Sequence, residues 1–169
     1  METFDAIFNR RSIRKYESKI VEDEKVQKLL KAAMYAPSAN DKQAWQFIVI
    51  NDRNILDSIT KIHPYAMMLK QAPLAILICG DENLEETEAY LNTNCSAATQ
   101  NLLLAAHSLN LGSVWLGIYP REARVKGLSE LFNLPENIIP ISLVAIGYPA
   151  EQKALPERFK KERVHYNCW

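Results

Sequence analysis

Four cations and a hydroxyl fall within Arg10-Arg11-Ser12-Ile13-Arg14-Lys15-Tyr16. Guanidinium groups are planar, permanently charged forks that match phosphate oxygens, and a serine hydroxyl adds a neutral donor. The chain carries no net charge at pH 7, so this local excess is not part of a generally basic surface. Two readings of the run stay open. It is a phosphate receptor, or it is the solvated end of the short amphipathic segment holding Phe4, Ile7 and Phe8, where Lys and Arg complement a helix C-terminus. A nucleic-acid patch is a third, weaker reading, because zero net charge and the lack of a basic stripe argue against broad attraction to polyanions.

A second stretch with chemical potential runs from Ala36 to Phe47. Pro37, Ser38, Ala39, Asn40 and Gln43 give it small side chains and neutral donors and acceptors, suited to a planar heterocycle or a polyol. The same residues equally suit a plain helix-to-strand turn. Gly117, inside an apolar strand pattern, marks a place where a backbone comes close to something.

Several chemistries find no support. There is no GxGxxG, no GxxxxGK[ST] and no GxSxG in the chain, so neither a dinucleotide fingerprint, a P-loop nor a nucleophile elbow is expected. His63, His107 and His165 show no ligand spacing, and a zinc site is not expected. Cys79 and Cys95 read as inert core thiols and His107 as a core histidine. The acidic run Asp81, Glu82, Glu85, Glu86 and Glu88 reads as a solvated helix N-terminus. An enzyme with these side chains needs a cofactor to carry the reaction.

The elements that must position these groups follow from periodicity. Apolar spacing predicts helices over 21–35, 54–62, 94–109 and 121–132, and strands over 47–50, 74–79, 113–119 and 141–146. Within 94–109 almost no polar face remains, which predicts burial nearly all round and suits a core or a subunit interface. Leu134-Pro135 and Pro140 bracket a connection before the last strand. Mixed strands and helices without a βαβ cadence predict an α+β sandwich. The 169 residues, 48% of them apolar, suffice for one domain spanning 1–169. Its 150–169 segment reads as an arm lying along a surface, its own or a partner's. Three cysteines without a pairing pattern and no apolar run long enough for a bilayer predict a cytoplasmic protein without membrane contact.

Arg10-Arg11-Ser12-Ile13-Arg14, the Ala36–Phe47 loop, the run Gly112-Ser113-Val114-Trp115-Leu116-Gly117 and the tail Arg163-Val164-His165-Tyr166 together resemble the FMN-dependent nitroreductase family, most closely its short, clostridial-type branch. The resemblance covers essentially the whole chain. It implies an α+β sandwich with a mostly antiparallel sheet flanked by helices, forming an intertwined homodimer with FMN at each subunit interface. By position, Arg10, Arg11, Ser12 and Arg14 would hold the phosphate and ribityl chain, with Arg158 as a second grip. Pro37, Ser38, Ala39 and Asn40, from the other subunit, would line the ring or ribityl, and Gln43 would bond nearby. Backbone N–H groups of Leu116 and Gly117 would face flavin N5, and a side chain at Gly117 would collide with the ring. Asp41 and Asn94 receive no role. The implied activity is ping-pong: NADH or NADPH passes hydride to N5, then a nitroaromatic, quinone or flavin acceptor is reduced. A non-enzymatic flavin carrier or sensor is the alternative.

Overall fold

The computed structural model describes residues 2–169. Four antiparallel strands, β1 (Trp45–Ile50), β2 (Leu74–Asp81), β3 (Gly112–Gly117) and β4 (Ile138–Gly147), form one sheet in the order β1-β2-β4-β3. The long central strands β2 and β4 are buried on both faces, so they are continuously apolar instead of alternating. From β2, Ala75, Leu77 and Cys79 enter one core while Leu74, Ile76 and Ile78 enter the other. The described residues hold five α-helices, α1 (Thr3–Asn9), α2 (Asp23–Met34), α3 (Arg53–Ile62), α4 (Glu88–Ser108) and α5 (Glu122–Phe132); α1 packs on α4, and the other four cover the sheet. Leu56 and Ile59 of α3 and Leu128 of α5 fill the first core. Leu29 and Ala33 of α2, with Cys95, Ala98 and Leu102 of α4, fill the second. The α+β sandwich expected from the pattern is the fold observed.

Local chemistry sets the element ends. Asp52 caps α3 by accepting the N–H groups of Asn54 at 2.8 Å and Ile55 at 3.0 Å. Asn133 ends α5 in a left-handed conformation, φ 49°.

Four sequence expectations need correction. β4 starts at Ile138 with Pro140 inside it; a register irregularity between Ile78 and Cys79 lets the ladder absorb a residue that cannot donate. β3 leaves the ladder at Gly117, not at Tyr119. α4 begins at Glu88, and its outer side keeps Thr93, Gln100 and Ser108 exposed, so one face alone is buried. Glu85 departs from the solvated acidic run: it is 1% exposed, because its Oε1 accepts the Thr87 N–H at 2.9 Å and meets Lys42 Nζ at 3.2 Å. Residues 150–169 run without strand or α-helix, with Phe159, Tyr166 and Trp169 largely exposed. Among the described residues no helix is long and apolar enough to cross a membrane.

Candidate functional site

After α1 the basic run is laid along β3 and stitched in place. The Ile13 N–H donates to the Ser113 carbonyl at 3.0 Å, and Ser12 stands opposite Ser113 in a parallel bridge. Ile13 is buried against Gly112, where an added Cβ would lie 2.7 Å from Ile13 Cγ2. Gly112 is therefore what allows the run to approach the strand so closely. Farther on, the Tyr16 hydroxyl donates to the Ile13 carbonyl at 2.6 Å, and the Arg14 N–H donates to Glu151 Oε1 at 2.6 Å.

This stitching opens a cleft of about 340 Å³ lined by Arg10, Arg11, His107, Ser113, Gln152 and Lys153, among others. Arg11, one of its lining residues, has a buried Nη1 with no hydrogen-bond partner. A buried donor of a charged group left unpaired is costly, and an anion seated in the cleft would satisfy it. Burial, then the charges of Arg158 and Arg11, hold the Arg10 guanidinium below its ordinary pKa. Arg10, Arg11 and Lys153 line the cleft with one carboxylate, Glu151, whose Oε1 is already engaged by the Arg14 N–H and by Lys153 Nζ, so the lining keeps an excess of positive charge. His107, half-buried and beside Arg10, is held below its ordinary pKa by burial and by that charge. It lines the cleft instead of sitting in the core, which corrects the sequence reading. Arg14 does not line the cleft; its side chain is exposed and its N–H is taken by Glu151.

From this cleft β3 runs outward as an edge strand. Ser113 offers its carbonyl to Ile13 on the free side, and the Ile118 N–H donates to Ile141 of β4 at 3.2 Å. Strand alternation then turns the main-chain groups of residues 113, 115 and 117 outward and those of 112, 114 and 116 toward β4. The Gly117 N–H faces the free edge; the Leu116 N–H is turned to β4, opposite Leu143, where the expectation had it facing the cofactor. Trp115 supplies the other outward N–H, with an exposed indole beside it. Ser113 to Gly117 covers roughly 13 Å at about 3.3 Å per residue. A Cβ added at Gly117 would meet nothing within 4 Å, and its φ is not positive. No neighbour and no backbone strain requires glycine there, so the space beside it is open to a ligand.

The 37–43 loop lies elsewhere. Asn40, Asp41 and Gln43 have φ of 51°, 55° and 48°, a left-handed run that Asn and Asp tolerate best. The Ala39 N–H donates to Asn94 Oδ1 at 3.0 Å, and the Gln43 N–H donates to Ser38 Oγ at 3.0 Å. Pro37 and Asn40 are exposed, Ser38 and Ala39 half-buried, and the Gln43 side chain bonds Asp41 at 2.8 Å. Asn94 and His107 lie 13 residues apart along α4; at about 1.5 Å rise per residue this is roughly 20 Å. The loop also joins β1, the opposite sheet edge from β3. One protomer brings Arg10, Arg11, Arg158 and Ser12 to the head of β3 and leads to Gly117, but does not bring 37–43 to that edge.

Sequence reasoning missed Asn94, His107, Lys153 and Trp115. His107 and Lys153 carried a signal only in hindsight of topology: the end of α4 and the start of the arm meet at the basic run.

The chain matches the Nitroreductase family model over residues 7–68 and 63–148. A Methanothermobacter thermautotrophicus protein, a candidate NADH dehydrogenase/NAD(P)H nitroreductase, is 47% identical over 169 residues, covering 100% of this chain and 88% of that one. An FMN-dependent nitroreductase from Clostridium difficile superposes with a TM-score of 0.91 at 32% identity, over 98% of this chain and 99% of that one. A Desulfovibrio desulfuricans structure in complex with FMN superposes at 0.87 and 30% identity, over 100% and 98%. With an arginine-lined cleft opening onto an unpaired strand edge, and matches over this much of its length, the chain belongs to the nitroreductase family.

Proposed function

We propose that the chain is an FMN-dependent NAD(P)H oxidoreductase of the reducing cytoplasm that acts on nitroaromatic, quinone or flavin-type acceptors. The observation that carries this is the buried, unpartnered Arg11 Nη1 of a residue that lines the cleft with Arg10, whose guanidinium also feels the charge of Arg158, at the head of an open strand edge. The residues present fit FMN: Arg10, Arg11 and Arg158 would take the phosphate, Ser12 and the Arg14 segment would border the ribityl chain, and the Gly117 N–H would meet the ring edge. When bound, the flavin supplies two-electron acceptance and donation at N5.

The chain's own residues supply position and charge. The guanidinium groups neutralise the phosphate, and a β3 N–H donor steadies negative charge that grows on the ring edge during reduction. Gly117 keeps that edge uncrowded, so a flat nicotinamide and then a flat acceptor can enter the same space in turn. Pro37, Ser38, Ala39, Asn40 and Gln43 reach this edge only from a second copy, which makes the homodimer part of the reading. Exposed Phe4, Phe8 and Tyr35 and the uncovered arm supply apolar surface for that contact.

The test is spectroscopic. The purified protein should be yellow or become so on FMN addition, bleach anaerobically with NADH or NADPH, and recolour with a quinone. A protein that stays colourless with FMN removes the proposal. One that holds FMN but never bleaches is a flavin carrier.

A further inference from the structure

Helix α4 ends against the cleft. The Asn110 N–H donates to the His107 carbonyl at 3.0 Å, and the Leu111 N–H returns to the Ala106 carbonyl at 2.8 Å, with Asn110 at φ 59°. This left-handed closure stops the helix and turns the chain at once into β3 at Gly112. His107 and the head of β3 thereby line the same cleft as Arg10 and Arg11.

A helix C-terminus ordinarily favours a charged imidazole, since a cation complements the dipole there. His107 departs from that rule: burial, then the Arg10 charge, hold it below its ordinary value of 6.5. The chain on its own therefore keeps this ring neutral at neutral pH. The charged groups sharing its cleft come from two segments. The run after α1 brings Arg10 and Arg11, and the arm brings Lys153 and Glu151, which meet each other at 3.5 Å. β3 and β4 contain no titratable residue. From α1 and α2, Glu2 and Tyr35 line a separate groove beside Ser108.

We propose that His107 is a ligand of the FMN phosphate and takes up a proton from solvent as the phosphate seats, so that cofactor affinity falls as pH rises; this rests on the FMN reading above. An anion beside the ring reverses the sign of its surroundings. An opposite charge within about 4–6 Å favours the charged form by about 1–3 pKa units. The imidazolium also donates from both nitrogens, where the neutral ring donates from one. The sign follows from linkage: the charged ring adds to binding in full below the free protein's pKa, and that gain is lost as pH climbs through the higher pKa of the complex. Each unit between the two is about tenfold in affinity. The plain alternative is that His107 is only a neutral wall at the end of a helix. FMN affinity would then follow the phosphate's own ionisation near about pH 6 and nothing more.

The test titrates apo-protein with FMN and with riboflavin, by flavin fluorescence, from about pH 5 to about pH 8, in the wild type and in His107→Gln. Glutamine keeps a neutral donor but cannot charge, and the ionisation of the phosphate is common to both proteins. The wild type should bind FMN about tenfold more tightly than His107→Gln at the acid end. The two should converge at the alkaline end, and their riboflavin curves should coincide throughout. A second readout follows the imidazole ring signals by NMR, a simple spectrum because the chain has three histidines. The wild-type His107 signal should titrate below 6.5 in the free protein and above it with FMN. Its loss in His107→Gln assigns it, or its loss in His107→Lys should the first variant fold poorly. Parallel FMN curves, or a His107 titration unmoved by FMN, overturn the role of His107 and leave the FMN reading standing. FMN that fails to bind, or binds no more tightly than riboflavin, removes the phosphate site and this inference with it.

Discussion

Lys42 Nζ meets Glu85 Oε1 at 3.2 Å, joining an ammonium 38% exposed to a carboxylate 1% exposed. The pair ties the 37–43 loop to the segment before α4, alongside the bond from the Ala39 N–H to Asn94. A carboxylate this enclosed needs its partners, since removing one leaves an uncompensated charge. Lys42→Met should therefore lower the melting temperature more than a typical surface substitution, and weaken FMN binding through the loop.

The pH dependence of the same contact has a defined sign. The Thr87 N–H, then Lys42, hold the Glu85 carboxyl below its ordinary value of 4.5, against burial, which raises it. A carboxylate depressed in the folded state stabilises the fold above its unfolded pKa, and that contribution is lost as pH falls through the folded value. Melting temperature followed from neutral pH into acid should fall more steeply for the wild type than for Glu85→Gln below about pH 4.5. Parallel curves would show that Glu85 carries no acid-sensitive stability.

The phosphate end is tested by comparing two ligands. Hydrogen bonds to charged groups contribute about 1.5–3 kcal/mol, or roughly ten- to a hundredfold in affinity. Arg11→Gln should weaken FMN by that factor while changing riboflavin little, because riboflavin lacks the phosphate. Titration of apo-protein by flavin fluorescence, at low and high salt, reads both. Equal losses for the two flavins would place Arg11 away from the phosphate.

Much of this architecture was legible before the fold. The apolar blocks around Leu77 and Leu143 announced central strands because burial on both faces leaves no polar alternation to confuse the pattern. Helix stripes such as Val26, Leu29 and Ala33 were equally plain. What spacing could not show was what happens where the chain meets itself at long range. Pro140 inside β4 depends on a register irregularity in the partner strand, and Glu85 is buried only because Lys42 reaches it from another loop. The outward turn of the Gly117 N–H, and the inward turn of Leu116, follow from which side of β3 is paired, a fact of topology. The basic run was visible as charge, but its convergence with His107 and Arg158 required the end of α4 and the arm to be brought beside it.

Two glycines with opposite surroundings give a paired prediction. A Cβ at Gly80 would lie 2.4 Å from Leu91 Cγ, and Leu91 is buried, so Gly80→Ala must push a core side chain aside. Overpacking of this kind costs about 1–3 kcal/mol. A Cβ at Gly117 would meet no protein atom within 4 Å, so the denaturant midpoint of Gly117→Val should match the wild type while its FMN Kd rises. A destabilised Gly117→Val with unchanged FMN affinity would assign the glycine to the fold instead of the site.

The thiols offer a last check, on the claim that no side chain here is a nucleophile. Burial pushes the Cys79 and Cys95 thiols up to about 12, while Cys168 is exposed. The thiolate is the reactive form, and at pH 8 a thiol with pKa near 12 is ionised about one part in ten thousand. Iodoacetamide at that pH should add one group to the native protein, on Cys168, and three after denaturation, as mass spectrometry would count them. NAD(P)H-dependent bleaching of the bound flavin should survive the single modification, because Cys79 and Cys95 point into the two cores and not toward the β3 edge. Rapid native labelling of Cys79 or Cys95 accompanied by loss of bleaching would instead make one of them a participant in the chemistry.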